Sequence, residues 1–181
     1  FWRHTKRLTA SPIGQSRSNE IACARSCKTL MGADVQYACS AVDLPALTAV
    51  QRWVDAALPD THAASELTVR IVDEPEGRDL NHRFRGRDNA TNVLSFPSDL
   101  PEEIAVALLG DIVICAPVVS AEAAAQAKST EAHYAHLVVH GVLHLLGYDH
   151  IDDVDAQVME AKERDILAIL GFPNPYATED P

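Results

Sequence analysis

Ser129–His150 reads STEAHYAHLVVHGVLHLLGYDH, and the architecture of the chain is read outward from it. Ser129 or Thr130 can cap a helix, with Glu131 in the first turn. The helix is predicted to run to Leu146 and to stop at Gly147, a residue suited to a helix C-terminus. His140 and His144 are four residues apart and share one helical face, where two imidazoles can reach one ion. His136 continues the row, but three ligands along one helix would span about 12 Å. A tetrahedral ion keeps its nitrogens within about 2.1 Å of itself. The third ligand has to come from the returning chain; Gly147 supplies the turn and His150 follows three residues later.

Three imidazoles leave a fourth position open, which distinguishes a catalytic site from a structural one closed by four protein ligands. Such a site lowers the pKa of bound water to about 7. The expected cofactor is one zinc ion; another divalent transition metal would also fit three nitrogens. His133 and His136, taken singly, read as ordinary hydrogen-bonding residues. Asp149 and Asp152 are candidates to orient an imidazole from outside, with helix capping the better reading for Asp152. The spacing matches the zinc protease pattern HExxHxxGxxH, but Gly141 occupies the position of its general base. Glycine cannot accept a proton, so a substrate other than a peptide is expected.

Around this helix the chain alternates strand and helix patterns. Val35, Tyr37 and Cys39 alternate as in a short strand, and Pro45 opens a helix running through Trp53 to Leu58. Leu67–Val72 reads as a strand, Gly77–Phe84 as a short helix, TNVLSFP (ending at Pro97) as a strand and Leu108–Ala116 as another. An alanine-rich helix follows from Val119 to Lys128. Asp152 and Asp153 introduce a last amphipathic helix that ends before Gly171. The expectation is a single α+β domain: a small mixed sheet of about four strands, four or five helices, and a metal site at the end of a central helix.

The 181 residues suit one domain. No apolar run reaches the ~18 residues of a membrane helix, so no membrane partner is expected. The four cysteines are too irregular for a disulfide framework, which predicts a reducing, cytoplasmic location. Net charge is −11, against a nucleic-acid partner on average. The charge is segregated, however. Residues 1–33 carry six Lys or Arg and one acid, and read as a basic, poorly ordered extension with no part in the chemistry. Beyond them lie nine basic and 25 acidic residues, four of the nine between Arg78 and Arg87. Residues 34–176 are taken as the functional domain and 177–181 as a short tail.

The basic cluster lies in LNHRFRGRDNATNVLSFP, Leu80–Pro97. Arg83, Arg85 and Arg87 alternate, so they cannot share one helical face; a guanidinium can hold a phosphate bidentately, or simply face solvent. This segment, LLGDIVI, the histidine stretch and the trailing ME and PY together resemble the YbeY family of bacterial endoribonucleases, or rRNA maturation factors. The resemblance runs from about Asp34 to Tyr176. It implies a single-strand-specific, metal-dependent endoribonuclease that matures the 3′ end of small-subunit ribosomal RNA and acts in ribosome biogenesis and quality control. It places the family's metal ligands on His140, His144 and His150, and its functional arginine on Arg85. Implied partners are single-stranded RNA, the small ribosomal subunit, ribosomal proteins and an assembly GTPase. Two other readings remain: a non-catalytic ribosome-assembly factor with a structural metal, and a metal hydrolase of another substrate.

Overall fold

The computed structural model describes residues 33–98, 108–150 and 152–177. The basic segment, with Cys23 and Cys27, lies outside the described residues, as do the last four of the chain. Ala33, at the start of the described part, is already packed into the core.

Alternating apolar residues form four strands: β1 (Asp34–Ala38), β2 (Glu66–Val72), β3 (Val93–Pro97) and β4 (Leu108–Cys115). Their order in the sheet is β1-β2-β4-β3; β2 runs parallel to both β1 and β4, and β3 lies antiparallel on the edge beside β4. Five α-helices accompany them: α1 (Leu47–Ala57), α2 (Glu74–Arg85), α3 (Ala116–Ala125), α4 (Thr130–Leu145) and α5 (Asp153–Leu170). The mixed four-stranded sheet and α+β class are those expected. No described helix is long and apolar enough to cross a membrane.

The period of two along β2 and β4 divides the sheet into two unequal faces. Leu67, Val69, Ile71, Ile112 and Ile114 point into the main core, shared with Trp53 and Val54 of α1, with α4, and with Met159 and Leu167 of α5. Val72, Val113 and Cys115 point the other way into a smaller cluster, reached by Leu80 of α2, Leu94 and Phe96. The second face is thus only partly covered, and Gln36, Thr68, Ser95 and Asp111 line an open groove beside α2.

α2 begins three residues before the predicted Gly77. Asp73 accepts a hydrogen bond from the Glu76 amide at 3.1 Å, and Pro75 sits in the first turn, where its missing N–H costs nothing. α4 is buried on most sides and crosses β4 at Gly141. A Cβ there would lie 2.8 Å from Ile112 Cγ2, so only glycine allows this approach. Ser129 caps α4, accepting from the Ala132 amide at 3.1 Å. At the other end Gly147 takes φ 87°, and the Tyr148 amide bonds back to the Leu143 carbonyl at 3.0 Å. That turn brings His150 back toward α4.

Candidate metal centre

The last two turns of α4 present His140 and His144, and the Gly147 turn delivers His150. One ligand atom from each lies within 4.8 Å of the others. The Nε2 atoms of His140 and His144 are 3.1 Å apart, and the His150 ring centroid lies 5.0 Å from that of His144 and 5.6 Å from that of His140. Tetrahedral nitrogens at about 2.0–2.1 Å from zinc stand about 3.3 Å apart, so the pair on α4 is near coordination spacing. His150 is exposed and His140 and His144 are half-buried, which leaves one side of the set open. Burial, then the neighbouring His140 and His150, hold His144 below the usual histidine pKa, favouring the neutral form a ligand needs. Three neutral imidazoles fit zinc or a similar divalent ion.

The orientation of His140 comes from α5. Glu163 is fully buried, and its Oε1 lies 2.7 Å from His140 Nδ1. Tyr176, from the segment after α5, donates its hydroxyl to Glu163 Oε2, and His136 Nε2 lies 3.5 Å from the same oxygen. Burial alone would push the Glu163 carboxyl up; the contacts from His136, His140 and Tyr176 outweigh it and hold the group at about 2. The carboxylate is therefore anionic and can only accept. His140 carries its proton on Nδ1, which leaves the Nε2 lone pair facing His144. His136, His140 and Glu163 also lie close enough together to hold an ion, but the 2.7 Å contact is a hydrogen-bond length.

The sequence reading missed Glu163; it offered Asp149 and Asp152 as candidates for this orienting task, with helix capping preferred for Asp152. Asp152 caps α5, accepting from the Val154 and Asp155 amides at 3.0 and 2.9 Å. Asp149 accepts from the His150 amide at 2.7 Å, with the His150 ring nitrogen 3.9 Å away. His133 is structural, as expected for it singly: its Nε2 is 2.8 Å from Glu122, which also holds Asn92.

The arginine segment converges on the same place. Arg85 ends α2, and Gly86, at φ 68°, turns the chain so that Arg87 follows it. Both line a cleft of about 830 Å³ with Ser95, His144, Asp149 and His150. No described carboxylate pairs with either guanidinium. Arg78, by contrast, is tied to Asp88 at 2.8 Å, and Arg70 to Glu76 at 2.8 Å. The cleft thus brings imidazoles together with two guanidiniums that have no partner among the described residues. Gly141 takes no part in it, because its missing side chain points at Ile112.

Comparison with known proteins bears on this geometry. A family profile described as Endoribonuclease YbeY matches residues 37–171. The chain is 57% identical over 148 residues to an Endoribonuclease YbeY of Pseudomonas putida, covering 81% of this chain and 94% of that one. It is 59% identical over 138 residues to that of Stutzerimonas stutzeri, with 76% and 86% covered. The likeness to that of Xanthomonas axonopodis is 57% over 149 residues, with 80% and 92% covered. Among solved structures, the TM1509 protein of Thermotoga maritima superposes with a TM-score of 0.52 at 23% identity, covering 80% of this chain and 99% of that one. That likeness concerns the fold alone.

Proposed function

The chain belongs to the endoribonuclease YbeY family, and on that premise we propose that it cuts single-stranded RNA with one zinc ion held by His140, His144 and His150. The observation that carries the reading is the single cleft shared by two of those histidines and by Arg85 and Arg87. When bound, the ion supplies a Lewis acid for a phosphate oxygen and a source of activated water. Glu163 fixes the His140 tautomer. Arg85 binds non-bridging phosphate oxygens and stabilises the charge that develops during cleavage, with Arg87 on the neighbouring phosphate. Contacts to the backbone rather than to bases account for weak sequence preference. The nuclease unit in this reading is residues 34–176. Its substrate is ribosomal RNA, notably the 3′ end of the small-subunit RNA, in the cytoplasm. Ribosomal proteins or an assembly GTPase deliver it to the small subunit, where it serves biogenesis and quality control.

Peptide hydrolysis is disfavoured by Gly141, since a carboxylate there would run into Ile112. A purely structural metal is disfavoured by the exposed His150 and the open side of the site. The test is metal analysis together with cleavage of a labelled single strand beside a duplex. Wild-type protein is expected to hold one ion and to cut only the single strand. Arg85→Ala should keep the ion and lose about 100-fold or more in cleavage rate; His144→Ala should lose both. Cleavage at the normal rate in Arg85→Ala would remove that arginine from the chemistry. Bound metal with no mutant-sensitive cleavage would leave an assembly role.

A further inference from the structure

Phe84 is the residue before Arg85 at the end of α2, and it is 56% exposed. A single exposed ring is ordinary on a protein surface; the setting of this one is not. Its ring packs against Phe96 of β3 with centroids 4.9 Å apart and planes at 63°, which braces it from the sheet side. The Arg83 guanidinium carbon lies 5.4 Å from the centroid of the ring. An aromatic ring held in place by a second ring, with a cation over one face and more than half of its surface in solvent, can take another flat group on its other face.

Phe84 and Phe96 form one wall of the groove left open on the second face of the sheet, a space of about 750 Å³. This groove and the cleft share Ser95 and Pro97, so they lie next to each other across the edge strand β3. Their electrostatics differ. In the groove Arg70 is engaged by Glu76 at 2.8 and 3.1 Å and by Gln36 at 3.0 Å, and Asp111 adds a negative charge. Among the described residues no free cation remains there for a phosphate. In the neighbouring cleft Arg85 and Arg87 have no partner among the described residues. A strand of nucleic acid can then lay its phosphates in the cleft and turn its bases over β3 toward Phe84 and the polar groove floor.

Building on the nuclease reading above, we propose that Phe84, braced by Phe96, is the stacking platform for one base of single-stranded RNA, adjacent to the phosphate that Arg85 holds. Adjacent α-carbons are about 3.8 Å apart, so ring and guanidinium serve the same or neighbouring nucleotides. The proposal also supplies a physical source for single-strand preference. In a duplex both faces of a base are already stacked and none is free for the ring.

The test combines protein and substrate changes. Steady-state cleavage is measured for wild type, Phe84→Leu and Phe84→Trp on single strands in which one nucleotide at a time is made abasic. Phe84→Leu should raise KM roughly 5- to 100-fold, more than it lowers kcat, and Phe84→Trp should restore it. One abasic position should raise the wild-type KM comparably and cost Phe84→Leu little more. A KM unchanged in Phe84→Leu, as expected if the ring instead docks a protein side chain, overturns the platform while leaving the nuclease intact. An abasic penalty at every position that is undiminished in Phe84→Leu does the same. Metal content and melting midpoint are compared first; if Phe84→Leu misfolds, a wild-type abasic scan with no position of outsized effect still sinks the proposal. Should wild type cut no RNA, the nuclease reading falls. Fluorescence anisotropy of the same strands then decides the platform separately.

Discussion

At the scale of single residues, Glu163 is the buried carboxylate that orients His140, a proposed metal ligand, without lining the open cleft. It is buried, anionic and bonded to His140 Nδ1. Glu163→Gln keeps the volume and removes the charge, so the expected result is a roughly 10- to 100-fold loss of metal affinity, read by chelator competition. A variant that folds and binds the ion as tightly as wild type would show that the carboxylate merely fills space. Residue type and spacing marked His140, His144 and His150 in the sequence, whereas Arg85 was picked out from its neighbouring arginines only by the family resemblance; the fold brings Arg85, His144 and His150 to one cleft. Glu163 was not marked, because proximity along the chain directed attention to Asp149 and Asp152, whose carboxylates are occupied by nearby backbone amides. A trace of it existed. Met159, Glu163 and Leu167 are the buried positions of α5, spaced by four, so an acid sits in an otherwise apolar row. Such an acid needs a buried partner.

Elements set the geometry that those residues use, and the crossing of α4 over β4 is the decisive one. Gly141→Ala would place a methyl 2.8 Å from Ile112 Cγ2 and 2.9 Å from its Cδ1. The expected cost is about 1–3 kcal/mol, measured by denaturant unfolding. The double variant with Ile112→Val, which removes Cδ1, should recover part of it. Full stability in Gly141→Ala would mean that α4 can move off the sheet without penalty. The same contact explains why the spacing of a zinc protease occurs here without its glutamate. Hydrophobic periodicity revealed the strands and most of the helices, since each element buries one face at a characteristic spacing. It did not reveal that β3 lies beside β4, or which strands run parallel, because alternation marks a buried face and not the partner strand. The start of α2 was also missed: Asp73 and Pro75 look like the end of a strand until the cap to Glu76 is seen.

Over the whole molecule the question is how a chain of net charge −11 holds a polyanion. The basic cluster seen in the sequence is divided by the fold. Arg78 is paired with Asp88 and Arg83 sits by the Phe84 ring, while Arg85 and Arg87 face the metal cleft. Two free guanidiniums imply about two phosphate contacts. For single strands the logarithm of affinity falls with the logarithm of salt by about 0.7 per phosphate, so the slope for wild type should be about −1.4. Arg87→Ala should bring it to about −0.7, with the loss of affinity similar for every sequence. Fluorescence anisotropy across a salt series measures both. The outcome also decides the part played by residues 1–33, whose six Lys and Arg make a second basic region. If those residues engage the strand as well, the slope steepens toward about −5.6, and the expectation that the extension is a bystander fails. A slope near the lower figure means that RNA is gripped at two phosphates only. Contacts other than phosphate pairing, such as the proposed base stacking, must then supply the remaining affinity.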